Sequence, residues 1–327
     1  MEDISVPRQI KACSLLLMVA VSLGYNPASA QDTRASQAPP PPGRLVDIGG
    51  HRLHLLSSGP EESSGEPVPT VILESGLGAY SVDWGLVQAQ VAKFARVCSY
   101  DRASYAWSDR GPDPRGLRTS VNELHRLLEQ AKVKPPYVLV GQSWGGRIAR
   151  LFAHSYPKEV AGMVLIDTFS EGTAQVPAEV LNLQVQEEEE KDPAVNLPAL
   201  LRDAHAWAAA KERQPDITDE KEDPDELIRS TTGASKTPLD DRPLVVISAG
   251  RLSYSARDRK TGRSLQEDIR AHVQSQAFLA TLSRNSQFLV ARRSFHKVHL
   301  YEPDLVIDAI RQVLTAVGSG KKLGAIR

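Results

Sequence analysis

The sequence has only two cysteines among its 327 residues, Cys13 and Cys98. That excludes the disulfide framework that staples small secreted domains. Cys13 lies in a segment expected to be removed, so the mature chain would hold no intramolecular disulfide. No Cys/His cluster has the spacing of a zinc site either. An excess of charge of one sign is missing as well, since 39 Lys and Arg stand against 40 Asp and Glu, a net charge of −1. There is thus no basic footprint for nucleic acid and no polybasic patch for a membrane surface. The partner this balance leaves is a small molecule, most simply an uncharged one. No apolar run reaches the roughly 20 residues of a permanent membrane span, and no internal repeat occurs. What remains is the composition of a globular chain able to bury a sizeable core, 41% hydrophobic and 24% charged.

Residues 1–30 read as a signal peptide. Arg8 and Lys11 precede an apolar run from Cys13 to Leu23, and Ala28-Ser29-Ala30 supplies the small residues of a cleavage site. Cleavage near Ala30 and export, to the periplasm or the medium, are the expectation. Cys13 stands at the start of the apolar run, whereas a lipid-attachment cysteine stands at the cleavage site. Residues 31–43, with Pro39 to Pro42 in a row, read as a stiff linker, so the folded part should begin near Arg44.

From Arg44 onward β-rich runs alternate with helical stretches, the pattern of an α/β domain whose mostly parallel sheet is flanked by helices. Runs 44–47 and 51–56 flank Gly49-Gly50 and predict an antiparallel edge hairpin. Buried parallel strands are expected over 70–74, 96–100, 137–141, 162–166, 244–248 and 287–291. Ser120 with Glu123 predicts a capping box ahead of a helix ending near Leu128, and Pro303 opens a last helix through Leu314. About 70 residues from Glu171 to Arg242 interrupt the rhythm and are too long for an ordinary connection. The domain organisation that follows is a core of 44–170 and 243–320, with a helical cap insertion over 171–242. Cap helices are expected around 180–190 and 197–211. The acidic runs 187–190 and 219–226 lack regular ligand spacing and read as solvated surface.

Chemistry concentrates at Gly141-Gln142-Ser143-Trp144-Gly145, between an expected strand and an expected helix. A sharp strand-to-helix turn of this kind lifts the serine hydroxyl above the sheet. It needs small residues two before and two after the serine, and both are glycine here. A serine hydroxyl becomes a nucleophile when a base takes its proton, and histidine is suited to that near neutral pH.

In this motif the chain resembles the α/β-hydrolase superfamily, in particular its capped esterases and aminopeptidases, and the resemblance extends from Arg44 to Val317. The stretch 71–78 resembles the third strand and oxyanion loop, with Ser75 where a histidine is usual. Tyr100-Asp101-Arg102 with Trp107-Ser108 resembles the turn after the fourth strand, where Asp101 and Arg102 are assigned structural ion-pair roles. Ser294-Phe295-His296-Lys297 resembles the histidine loop, with Phe295 in place of its usual glycine. The resemblance implies Ser143 as nucleophile and His296 as base, with His299 as the alternative base. The remaining six histidines need only surface or core roles.

The family's chain order places an acid between serine and histidine. Asp167, after the expected sixth strand, and Asp258, beyond the seventh, both fit. Backbone N–H groups of Leu77 and Trp144 would form the oxyanion hole. The implied activity is hydrolysis of a carboxylic ester or related acyl bond, with no metal and no cofactor. Amide and C–C bond hydrolysis use the same residues, and a ligand-binding protein that keeps the fold without turnover is the reading from another class.

Overall fold

Alternation along the strands decides the architecture. Val71 and Leu73, Val138 and Val140, Val164 and Ile166, and Val245 and Ile247 enter one buried cluster. Their neighbours Ile72, Leu139, Met163, Leu165, Leu244 and Val246 enter another. Strands apolar on both faces must be covered on both faces, the condition met by a parallel sheet between helical layers. The computed structural model describes residues 38–60, 68–113, 115–183, 192–210, 237–252 and 264–323. The strands and helices belong to the unit Pro39–Arg327.

The strands are β1 Arg44–Asp47, β2 Arg52–Ser58, β3 Thr70–Glu74, β4 Val97–Tyr100, β5 Tyr137–Gln142, β6 Val160–Ile166, β7 Leu244–Ala249 and β8 Ser286–Ala291. They form one eight-stranded sheet in the order β1-β2-β4-β3-β5-β6-β7-β8. β1 pairs antiparallel with β2, and β2 with β4. The other pairings are parallel. The expected edge hairpin is therefore present, and every expected parallel strand is found within two residues of its predicted bounds.

The helices are α1 Gly85–Val91, α2 Leu117–Gln130, α3 Trp144–Ser155, α4 Ala199–Ala210, α5 Leu265–Phe278, the single turn α6 Val298–Tyr301, and α7 Pro303–Ser319. Residues of α2, α3 and α5 line one face of the sheet, and residues of α1 and α7 line the other. No described helix is long and apolar enough to cross a membrane.

Two local expectations are corrected. The helix that Ser120 was to cap begins earlier, at Leu117 with Gly116 as N-cap, and the Ser120 hydroxyl donates back to Gly116 O at 3.2 Å. Glu123 is buried and held by both terminal nitrogens of Arg115, at 3.1 and 2.7 Å, so its carboxylate is committed to a bidentate ion pair instead of a cap. In the long segment after β6, residues 177–183 form turns, not helix, and 184–191 lie outside the described residues. The second helix expected in that segment is present as α4. The signal peptide, most of the linker and both acidic runs also lie outside the described residues.

Candidate active site

Ser143 stands between the last residue of β5 and the first of α3, with φ 52° and ψ −120°. A side chain that is not glycine occupies such a backbone conformation only when its surroundings impose it. The Ser143 N–H donates to Ile166 O of β6 at 2.9 Å, and Thr168 Oγ1 donates to Ser143 O. Glycine is required around the turn by close approach. A Cβ at Gly141 would lie 2.5 Å from Gly145 O, one at Gly145 would lie 2.2 Å from Glu74 O, and one at Gly146 would lie 2.3 Å from Thr168 Oγ1. Trp144, first residue of α3, carries one of the amides that a helix start leaves without an intrahelical partner.

Asp167 follows β6 directly and also has a positive φ, 44°. Its N–H donates to Ile247 O at 2.8 Å, which ties it to β7. Oδ2 of its carboxylate lies 2.7 Å from His296 Nδ1, while Oδ1 accepts the Ala249 N–H at 2.8 Å and lies 2.6 Å from His272 Nε2. Burial by itself would push this carboxyl upward. The charge and hydrogen bonds of His272, and then of His296, outweigh that and hold it well below the usual carboxylate range. An ionised Asp167 requires both imidazoles to donate, so His296 carries its proton on Nδ1 and leaves Nε2 as acceptor unless it is doubly protonated. Gln142, beside Ser143, donates from Nε2 to His296 O at 3.2 Å, which joins the histidine loop to the serine turn. Asp258 lies outside the described residues.

His272 corrects the sequence reading, which gave it no more than a surface or core role. It sits on α5, more than 100 positions from Asp167 in the chain, and no motif marks it. The one local hint is the face it shares with Gln276 one turn on.

His299 is fully buried with its ring 4.5 Å from that of Trp84, and its Nδ1 has no partner among the described residues. Burial pushes its pKa down to about 3, so it stays neutral across the working range of a base. The sign of the linkage follows from the depressed value. Below the unfolded pKa of about 6.5 the unfolded chain takes up a proton that the folded chain refuses, and stability falls with pH until about 3. Replacing His299 with Phe should remove this component. Urea unfolding should show the variant gaining about 2 kcal/mol on the wild-type protein between pH 7 and pH 5.

The loop after β3 is shaped by a buried cation. Arg102 donates to Glu74 Oε1 at 2.9 Å, to Ser75 O at 2.6 Å and to Gly76 O at 2.8 Å, and its guanidinium lies 4.7 Å from the Tyr105 ring centroid. Asp101 pairs with buried His54 at 2.8 Å. Arg102 thus sits in a structural ion pair with Glu74 and Asp101 in a buried hydrogen bond with His54, partners the sequence reading did not name. Ser75 accepts from Trp84 Nε1 at 2.9 Å and donates to Tyr80 O at 3.2 Å, so it braces the loop where the family has a histidine. Leu77, at the tip of that loop, is 36% exposed, and Phe169, two residues after Asp167, is 47% exposed. The guanidinium of Arg147 lies 3.9 Å from the Phe169 ring and 5.3 Å from the Trp144 ring. α4 packs nearby: His205 Nδ1 lies 2.6 Å from Asp83 Oδ1, and Trp207 and Trp107 have ring centroids 5.1 Å apart.

With this geometry in place, the similarities to known proteins become informative. The family model of the alpha/beta hydrolase fold matches residues 69–220. A probable transporter of Hormonema carpetanum, efuK, is 37% identical over 134 residues, 39% of this chain and 19% of that protein. The chain thus spans about a fifth of that relative's length. The uncharacterized protein YqjL of Bacillus subtilis is 27% identical over 249 residues, 76% of this chain and 84% of the relative. Among solved structures, the carboxylesterase CesB of Bacillus subtilis superposes with a TM-score of 0.57 at 15% identity, covering 83% of this chain and 90% of that one. At that identity the likeness is one of fold. The sheet order and the strained serine turn agree with the family match, and the chain has the α/β-hydrolase fold.

Proposed function

We propose that this chain is an exported serine hydrolase that cleaves a carboxylic ester or a related acyl bond of a small, uncharged substrate. The observation that carries the reading is the 2.7 Å contact of Asp167 Oδ2 with His296 Nδ1, made beside a serine held at a strained strand-to-helix turn. Asp167 orients the imidazole and stabilises its charged form. His296 Nε2 then takes the Ser143 proton as Oγ attacks the carbonyl carbon. The oxyanion that forms is met by the backbone N–H groups of Leu77 and Trp144, each such donor contributing about 3 kcal/mol to lowering the barrier. His296 returns the proton to the leaving alcohol, and water activated by the same imidazole releases the acid from the acyl-enzyme. The apolar rim of Leu77, Trp144 and Phe169 suits an acyl chain. α4, packed against Asp83 and Trp107, is read as part of a cap that bounds it.

The reading is tested by a fluorophosphonate probe, with the adduct mapped by mass spectrometry. The expected result is one phosphonyl group on Ser143 and no labelling of Ser143→Ala. Folded wild-type protein that takes no label would overturn the serine hydrolase reading in favour of a ligand-binding role for the same fold.

A further inference from the structure

Asp167 receives two imidazoles, and the reaction just described uses one of them. The second belongs to α5, which contributes nothing to the serine turn or the histidine loop. His272 Nε2 lies 2.6 Å from Asp167 Oδ1, with the side chain 24% exposed. One helical turn later Gln276 Nε2 donates to Thr168 O at 2.6 Å. One face of α5 therefore grips two consecutive residues, and those residues reach both partners of the reaction. Asp167 touches His296, and Thr168 donates to the Ser143 carbonyl. The Asp167 backbone is in the left-handed region without being glycine, a conformation that has to be held from outside.

Resting on the acyl-transfer reading above, we propose that His272 is a positioning residue of that site: it donates Nε2–H to Oδ1 of Asp167 and sets the carboxylate plane in which Oδ2 receives His296. Without it Oδ1 keeps a single donor, the Ala249 N–H, and the carboxylate can turn about its Cβ–Cγ bond. A merely structural histidine could donate anywhere on β6 or β7, whereas this one meets the carboxylate that orients the base. Among the described residues no set of three His, Cys, Asp or Glu side chains is arranged to hold a metal ion.

The charged group facing His272 is Asp167 from the end of β6, with His296 across the same carboxylate. Burial lowers the affinity of His272 for a proton and Asp167 raises it, with a net upward shift. Whether His272 is neutral or protonated, its removal concentrates negative charge on Oδ2 and strengthens the pull on His296. The proton affinity of His296 should therefore rise.

The experiment compares His272→Leu with His272→Gln, whose amide can return an N–H close to the place of Nε2. On a short p-nitrophenyl ester the Leu variant should lose about 10- to 100-fold in kcat. KM should hold, and the acid limb of the kcat/KM profile should move to higher pH. The Gln variant should recover most of kcat. Wild-type kcat and an unmoved acid limb in the Leu variant would overturn the proposal, as would equal losses in both variants. Proton NMR of the low-field His296 Nδ1–H through a pH titration reads the same coupling without turnover. A displaced titration in protein whose Ser143 takes no label keeps the positioning role and removes the hydrolase reading. Normal labelling and turnover with no displacement in the Leu variant removes the positioning role alone.

Discussion

Asp167→Asn is expected to lower kcat by about 10³- to 10⁴-fold with KM little changed. The carboxylate at this position accepts from three donors, Ala249 N–H, His272 and His296. An amide can accept with only one of its two terminal atoms. If its NH₂ takes the place of Oδ2 it presents a donor to His296 Nδ1. The imidazole then carries its proton on Nε2, where it cannot accept from Ser143. If the amide is reversed, the same conflict falls on His272 and the Ala249 N–H. Either way the charge that stabilises the imidazolium is lost. Steady-state kinetics on a p-nitrophenyl ester checks the expectation, with Asp258→Asn as the comparison that should retain activity. A loss below about tenfold at Asp167 would place the acid elsewhere. The same change should cost stability near neutral pH. A carboxyl held below its unfolded pKa of about 3.9 stabilises the fold above that value and gives up the contribution as pH falls toward the lower folded one.

Arg102→Leu is the second large effect, and it acts first on the fold. The Glu74 carboxylate and the Arg102 guanidinium are 2% and 3% exposed, and Tyr100 O–H donates to the same carboxylate at 2.5 Å. Burial, reinforced by the neighbouring Glu74 charge, pushes the Tyr100 phenol well above its usual value, so it remains a donor. Removing the cation leaves a buried anion with the phenol but without its countercharge. It also strips a donor from the carbonyls of Ser75 and Gly76. Breaking a buried pair from one side costs about 3–5 kcal/mol, or a fall in melting temperature of roughly 10 °C for a domain of this size. Removing both charges in Glu74→Gln/Arg102→Leu should recover part of that loss, measured by urea unfolding as a double-mutant cycle. Because the two carbonyls belong to the loop that carries Leu77, kcat should fall even in the folded fraction of the Arg102→Leu variant. A variant as stable and active as the wild-type protein would mean that the loop holds its shape without the cation.

Much of this was legible in the linear sequence because it depends on local period and local sterics. Strands such as Val138-Leu139-Val140 announce a sheet covered on both sides by being apolar at every position. The Gly141 to Gly146 stretch announces a turn whose glycine positions leave no room for a Cβ. The edge hairpin was visible in Gly49-Gly50. Where a local signal misled, a partner outside the motif had the stronger claim. Ser120 and Glu123 match a capping box, but Arg115 takes the Glu123 carboxylate in a bidentate pair.

The site divides the same way. Ser143 and the two candidate bases could be singled out from the chain, since a serine turn and a histidine after the last strand are local features. His296 and His299 are separated by their surroundings: one is half exposed and bonded to Asp167, and the other is sealed against Trp84 with its pKa near 3. Asp167 could be named only as one of two acids, because distance in sequence carries no information about distance across a sheet. His272 had no motif to mark it, only the helix face it shares with Gln276.

By itself, then, the sequence determined the α/β architecture, the strained serine turn and the small set of residues able to do acid–base chemistry, since backbone geometry and hydrophobic period act over a few residues. Only the tertiary structure decided which carboxylate meets which imidazole, that a second histidine shares it, and that Arg102 shapes the loop after β3. The contacts around Asp167 join β6, β7, α5 and the histidine loop across 82 to 129 positions of chain. They exist only once the sheet has brought the ends of its strands together.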